Sequence, residues 1–384
     1  MKKVFIYDLN ENKHHQTKLM INNPPKGYEF VLPNQKNKQN FFNFLKNSKF
    51  LRLIYKKTLK IFFPKLNIYL KLNSPEIPSN ISLIFTPIPL DTDIPYIIEI
   101  LDHPASLAGY NYDLFMKKLP ELEKKLRSKI CKKIIVVNES SMKLMKEYFS
   151  KEVFKKCFLV RAAIKKQDFA RDYNKKELQI LFIGSLANPD DFYIKGGLEA
   201  LESFSLIAEK YPNLKLIIRC KLPNEIKSKY SHPQIIFLEE KISNNELDNL
   251  LRATDIVLQP GHIYPLTATI ESMSYGIPIV MLDAWGVRDY LDDNHALLVK
   301  PSKKITEYNS KEYPLNIRSK KFLQQIKEVD NGVITDLSIA LEKLIQNHSL
   351  RKKLGTNAKK IADTKFSLNK RNKILKEIFD KSIN

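Results

Sequence analysis

The stretch LQILFIGSLANPDDFYIKGGLEALESFSLIAEKYPNLKLII, residues 178–218, decides the fold. It opens on an apolar strand, LQILFIG, and passes through a polar turn. A helix is predicted over Gly197–Lys210, with Leu198, Leu201, Phe204 and Ile207 on one face. It returns to a strand in LKLII. A strand, a helix and a second strand in that succession form a crossover unit, which pairs its strands in parallel.

The same alternation continues downstream. IIFLEE reads as a strand, and Ser243 with Glu246 forms a capping box that opens the helix ELDNLLRAT. DIVLQP, IPIVML and ALLVKP are strands, with the helix TATIESMSYG between the first two. Helices then cover both faces of a parallel sheet, and ligands bind at the carboxyl ends of its strands. Upstream, VFIYDL, YEFVL, ISLIF, PYIIEIL, KIIVV and FLV are short strands, and helices are predicted over Asn111–Lys133 and Glu139–Phe149. This is α/β patterning again. The polar, aperiodic run Lys165–Glu177 marks the boundary between a domain at 1–168 and one at 176–364. The tail from Ile334 onward is helical, and residues 365–384 are expected to form a terminal helix crossing back onto the first domain.

With 384 residues, 43% apolar and 10% aromatic, the chain has the composition of a globular protein of two domains. Cys131, Cys157 and Cys220 are odd in number and widely spaced, so neither a disulfide framework nor a zinc site is indicated. The Met-Lys-Lys start is followed by an apolar run broken at Asp8 and Glu11, too short for export. No apolar run approaches the roughly 18 residues of a membrane span. A cytoplasmic protein is expected.

Net charge is +22, and the excess lies early, with 31 basic and 15 acidic residues in 1–170. Such a field attracts polyanions: nucleic acid, anionic lipid or phosphorylated substrates. Residues 31–75 hold ten Lys or Arg and no acid, interleaved with Phe41, Phe42, Phe44, Phe50, Tyr55, Phe62 and Phe63. That composition suits docking on an anionic bilayer at the inner face of a membrane. An ordinary helix with a solvated basic face has the same composition. Aromatics among cations also stack bases, but no nucleic-acid-binding module accompanies them, so no nucleic-acid partner is expected.

One residue breaks the apolar pattern. In TATIESMSYGIPIV, Glu271 places a carboxylate among small and apolar neighbours, which is costly unless a partner or a ligand meets it.

Taken in order, FIGS with IKGGLEALESFSLIAEKYPNLKL, ELDNLLRATDIVLQP, IESMSYGIPIVMLDAWGVRDYLDD and SLRKKLGTNAKKIADTKFS resemble the donor-binding half of the retaining glycosyltransferases of family 4 (glycosyl transferases group 1). The resemblance covers residues 178–384. It implies the GT-B fold: two Rossmann-like doubly wound domains facing each other across a cleft, with C-terminal helices. It also implies transfer of a hexose from a nucleoside-diphosphate sugar to the hydroxyl of a glycan or lipid-linked glycan, with retention and with no cofactor or metal required. The alternatives within the fold are a protein that binds nucleotide sugar without transfer, and a nucleotide-sugar epimerase.

The family places a Lys-Gly pair after the first strand of the donor domain to neutralise the diphosphate, and Lys195-Gly196 stands there, following Gly184 and Ser185. A fixed ammonium stabilises the leaving diphosphate more as charge develops on it than before. The family's upstream Arg is absent, with Ser185 near its place, and Arg219 or Lys221 at the next strand's end are candidates for a second cation. Glu271 corresponds to the second of the family's paired glutamates, which accepts from both ribose hydroxyls. The first is replaced by Ile263, preceded by His262, either a substitute for it or a loop histidine. Tyr264, Pro265, Leu266 and Thr267 begin the helix carrying Glu271, where backbone N–H groups and the helix dipole favour phosphate. The base is expected near Lys241 and Ile242. His103, ending a strand of the first domain, matches a histidine that similar enzymes turn to the sugar, with Asp102 the other candidate. A rival reading is metal-dependent transfer through Asp91-Thr92-Asp93, an Asp-x-Asp pattern able to hold a cation on a diphosphate.

Overall fold

Apolar side chains fill both faces of the central strands, as a parallel sheet covered by helices requires. The computed structural model describes residues 1–7, 15–33, 77–109, 112–263, 265–305 and 319–383. They divide into two units, Met1–Val160 with Asn372–Asn384, and Arg161–Arg371. The basic aromatic segment 31–75 lies, from residue 34 on, outside the described residues, as does Tyr264.

In the first unit the strands are β1 (Lys2–Ile6), β2 (Tyr28–Val31), β3 (Leu83–Thr86), β4 (Tyr96–Ile100), β5 (Cys131–Val136) and β6 (Cys157–Leu159). They form one parallel sheet in the order β2-β1-β3-β4-β5-β6. Its helices are α1 (His15–Asn22), α2 (Tyr112–Arg127), α3 (Glu139–Tyr148) and α4 (Lys151–Phe154). The helix predicted over Asn111–Lys133 thus ends earlier. The Lys156 ammonium closes it, donating to the carbonyls of Leu126, Arg127, Ser128 and Cys131 at 2.7–3.0 Å.

The second unit contains β7 (Gln179–Ile183), β8 (Lys215–Arg219), β9 (Ile235–Phe237), β10 (Ile256–Gln259), β11 (Ile279–Leu282) and β12 (Ala296–Val299). They too are parallel, in the order β12-β11-β10-β7-β8-β9. Its helices are α5 (Asp190–Ile194), α6 (Gly197–Ala208), α7 (Asn224–Lys229), α8 (Asn244–Ala253), α9 (Leu266–Ser274), α10 (Lys320–Lys327), α11 (Asn331–Gln346) and α12 (His348–Lys365). The predicted capping box on α8 is present, with Ser243 and Glu246 each satisfying the other's backbone N–H. Both sheets are of the Rossmann-like, doubly wound kind, and with the C-terminal helices they make up the GT-B class of architecture.

Strand order reverses between β7 and β10, and there the sheet opens. The ladder pairs only Ile256 with Ile180 and Val257 with Leu181. Beyond it the Gln259 side chain takes over, donating to the Ile183 carbonyl at 2.9 Å and accepting from the Ile183 N–H at 3.3 Å. A crevice at such a reversal is where open α/β sheets receive ligands.

The polar run 165–177 lies in the second unit, fastened by cations to helix ends. Arg171 donates to the carbonyls of Tyr275 (2.9 Å), Leu251 (2.8 Å), Arg252 (3.4 Å) and Thr254. Positive groups at helix C-termini satisfy carbonyls that the helix leaves unpaired.

The last helix, α13 (Leu368–Ile383), belongs to the first unit from Asn372 onward. Leu375, Ile378 and Phe379 join Val4, Ile6, Leu83, Phe85, Ile97 and Ile135 in one apolar cluster. The intervening Phe5, Ile84, Ile98 and Ile134 belong to another, as the two-residue period of a strand dictates.

Candidate functional site

The carboxyl ends of β7 and β8 meet in a tight backbone arrangement. The Gly184 N–H donates to the Arg219 carbonyl and the Lys221 N–H to that of Ser185, both at 2.8 Å. A side chain on Gly184 would overlap the Cys220 sulfur, so glycine is required there for close approach. Burial pushes the Cys220 thiol up to about 12, so it is a packed, protonated group rather than a nucleophile.

Lys195 ends α5, and Gly196 turns the chain into α6 with φ +79°. This turn is seated on the loop after β10. A Cβ on Gly196 would overlap the Pro260 carbonyl, and the His262 N–H donates to the Ile194 carbonyl at 3.0 Å. The positive charge of Lys195 reaches Cys220, so the lysine lies near the ends of β7 and β8. The resemblance to a family suggested this place, and the packing of Gly196 on Pro260 explains how the turn is held.

Glu271 is half-buried on α9, and among the described residues its carboxylate has neither a hydrogen bond nor an ion pair. Burial raises its pKa from 4.5 to about 7, opposed by the positive charge of Arg219. The helix that carries it begins at Leu266, so Pro265 is its cap rather than its first turn, and no side chain caps the N–H groups that follow. Leu266 and Thr267 lie in that first turn, both half-buried.

His262 is 2% exposed, and its Nε2 lies 2.8 Å from Oε1 of Glu199, which is 4% exposed in the first turn of α6. Its ring meets Phe322 edge-on. His262 is thus a buried, paired histidine that joins the β10 loop to α6. Nothing in the spacing of Glu199 signalled that pairing. Lys241 is exposed and Ile242 half-buried in the segment between β9 and α8, at the same end of the sheet. Lys221 is paired with Glu239 at 3.7 Å, and Glu239 also meets Lys227 at 2.5 Å.

The structure thus gathers Gly184, Ser185, Lys195, Gly196, His262, Leu266, Thr267 and Glu271 at one end of the second sheet. His103 belongs to the first unit, where it is 1% exposed. Its Nδ1 accepts from the Ala105 N–H at 2.9 Å, capping a short 3-10 helix, and the rings of Tyr112, Phe115 and Tyr148 stand around it. Burial lowers its pKa to about 4, so the imidazole is neutral near pH 7. Asp102 accepts from the His103 N–H at 2.7 Å. Asp91 is exposed and paired with Lys125 at 3.0 Å. Among the described residues no group of three His, Cys, Asp or Glu could hold a metal ion, and no helix is long and apolar enough to cross a membrane.

Comparison with known proteins bears on this end of the second sheet. Residues 177–311 match the family Glycosyl transferases group 1. The group 1 match spans β7 through β12 and so includes both the Lys195 turn and Glu271. No curated protein matches the chain. Among solved structures, the sucrose-phosphate synthase of Thermosynechococcus elongatus is similar over 99% of each chain, with TM-score 0.63 and 12% identity. HepE of Anabaena, solved with UDP and glucose, is similar over 99% of each chain, with TM-score 0.61 and 13% identity. A glycosyltransferase from Rickettsia africae covers 100% of this chain and 98% of its own, at TM-score 0.56 and 13% identity. At such identities the likeness speaks to the fold.

Proposed function

We propose that this chain is a retaining glycosyltransferase of the hexosyl type, taking its sugar from a nucleoside-diphosphate sugar. The observation that carries the reading is the half-buried, unpartnered carboxylate of Glu271 at the reversal of strand order. A fold keeps a desolvated carboxylate without a partner only at a cost, and an occupant offering two adjacent hydroxyls would meet both its oxygens. A ribose does so. Its attached diphosphate then reaches Lys195 and the N–H groups at the start of α9, with Gly184, Ser185 and Thr267 alongside and the base toward Lys241 and Ile242. The group 1 match supports the choice of donor class, as does the likeness to a protein solved with UDP and glucose.

In the transfer, an acceptor hydroxyl oxygen bonds to the anomeric carbon as the bond from that carbon to the phosphate oxygen breaks. The electron pair stays on the diphosphate, and the hydroxyl proton passes to a phosphate oxygen on the same face of the sugar, which keeps the configuration. Lys195 holds the charge that develops on the leaving group. The acceptor is a glycan or lipid-linked glycan, and residues 31–75 dock the protein on an anionic membrane surface.

The test is a thermal-shift screen of nucleoside diphosphates and their sugars. A ligand at a hundred times its dissociation constant stabilises by about 2.7 kcal/mol. Lys195→Ala and Glu271→Ala are expected to lose that shift while unfolding cooperatively. Variants that respond as the parent does would remove both residues from the site.

A further inference from the structure

Two guanidinium groups of the second unit spend their N–H donors on carbonyl oxygens. Arg171 donates to four of them, and Arg351 to those of Leu344 (2.6 Å), Ile345 (2.9 Å) and Tyr173 (2.8 Å). Arg219 departs from this habit. It ends β8, beside Gly184, and its Nε is buried with no acceptor among the described residues. Burial lowers its pKa, opposed by the negative charge of Glu271 and, less, of Cys220. No hydrogen bond or ion pair joins Arg219 to Glu271.

Two opposite charges, each desolvated and each unspent, cost the fold more than a direct pair would. A molecule carrying hydroxyl donors at one end and anionic oxygens at the other satisfies both. We infer that Arg219 is a phosphate-binding residue, receiving the diphosphate of the nucleotide whose ribose Glu271 holds. The inference rests on the functional reading above and deepens it. The guanidinium presents a planar fork that matches two phosphate oxygens, which the ammonium of Lys195 cannot do. Of the two cations at this strand end, Lys221 is already paired with Glu239, which leaves Arg219 as the group without a partner.

Binding is measured by titration calorimetry with UDP, GDP, ADP and CDP and with the corresponding nucleosides. The proteins are the parent, Arg219→Gln and Arg219→Lys, held near pH 8.5 so that Glu271 stays ionised in each. Arg219→Gln is expected to lose about 10- to 100-fold in affinity for the bound diphosphate, the worth of a hydrogen bond to a charged group. Its affinity for the free nucleoside is expected to stay within about threefold of the parent's. Arg219→Lys, which keeps the charge and guards against a folding defect, recovers part of the loss. Equal diphosphate affinity in parent and Arg219→Gln overturns the assignment while leaving the functional reading intact. An equal loss for nucleoside and diphosphate overturns it too, since the arginine would then be structural. A parent that binds none of the four diphosphates overturns the functional reading and this assignment with it.

Discussion

Glu271 carries a stability cost whose sign can be worked out. Its pKa in the folded chain, about 7, lies above the ordinary 4.5, so between those values the native state holds a proton that the unfolded chain releases. Its stabilising contribution is therefore complete below about pH 4.5 and is lost as pH rises through about 7. Glu271→Gln removes the buried charge at nearly constant volume. By urea denaturation it should be more stable than the parent near pH 8, by up to about 2–3 kcal/mol, and no more stable near pH 4. Parallel stability curves across that range would contradict the assignment of burial as the cause. The same residue shows where sequence reading stops. That an acid interrupts an apolar helix is visible in TATIESMSYG; whether a partner satisfies it is not. Arg219, 52 positions away in the chain, had to be placed before the carboxylate could be described as unpaired.

At the scale of elements, the turn between α5 and α6 is held by contact with the β10 loop rather than by its own hydrogen bonds alone. Gly196→Ala forces a side chain into left-handed backbone and onto the Pro260 carbonyl. We expect a loss of at least about 2 kcal/mol in chemical denaturation, together with loss of the nucleotide-induced thermal shift, because the loop bearing His262 must move as the turn does. Retention of both stability and shift would show that the turn tolerates displacement. The strands of both sheets were legible because their apolar runs are buried on both faces, and the α8 cap because its two residues are neighbours in sequence. Helix ends were read less well. The apolar pattern of α2 continues toward Lys133, but Lys156 from beyond the next strand closes it at Arg127.

At the scale of the molecule, the first sheet depends on residues from the far end of the chain. Phe379 is fully buried, with its ring edge-on to Tyr28, Phe30 and Phe85 at 5.2–6.5 Å, and Asp380 accepts from the Tyr28 hydroxyl at 2.6 Å. Phe379→Ala should cost about 3–5 kcal/mol, the range for emptying an aromatic site in a core. Because the cluster it joins is in the first unit, we expect an earlier unfolding step by calorimetry. Nucleotide affinity, measured below that step, should stay within about twofold of the parent's. A single unshifted transition would mean that the terminal helix contributes little to that core.

Lys195 came forward only through the resemblance to a family, whereas the α/β alternation, the parallel sheets and the out-of-place acid Glu271 were legible in the sequence itself. These are local signals: periodicity, caps, and a charge out of place in an apolar run. The tertiary structure was needed to show that His262 is paired with Glu199, that Gln259 bridges the parting strands, and that the Arg219 Nε and the Glu271 carboxylate have no hydrogen-bond partner among the described residues. Burial and pairing are properties of groups far apart in the chain, and the free energy of a buried charge depends on which of them folding brings within reach.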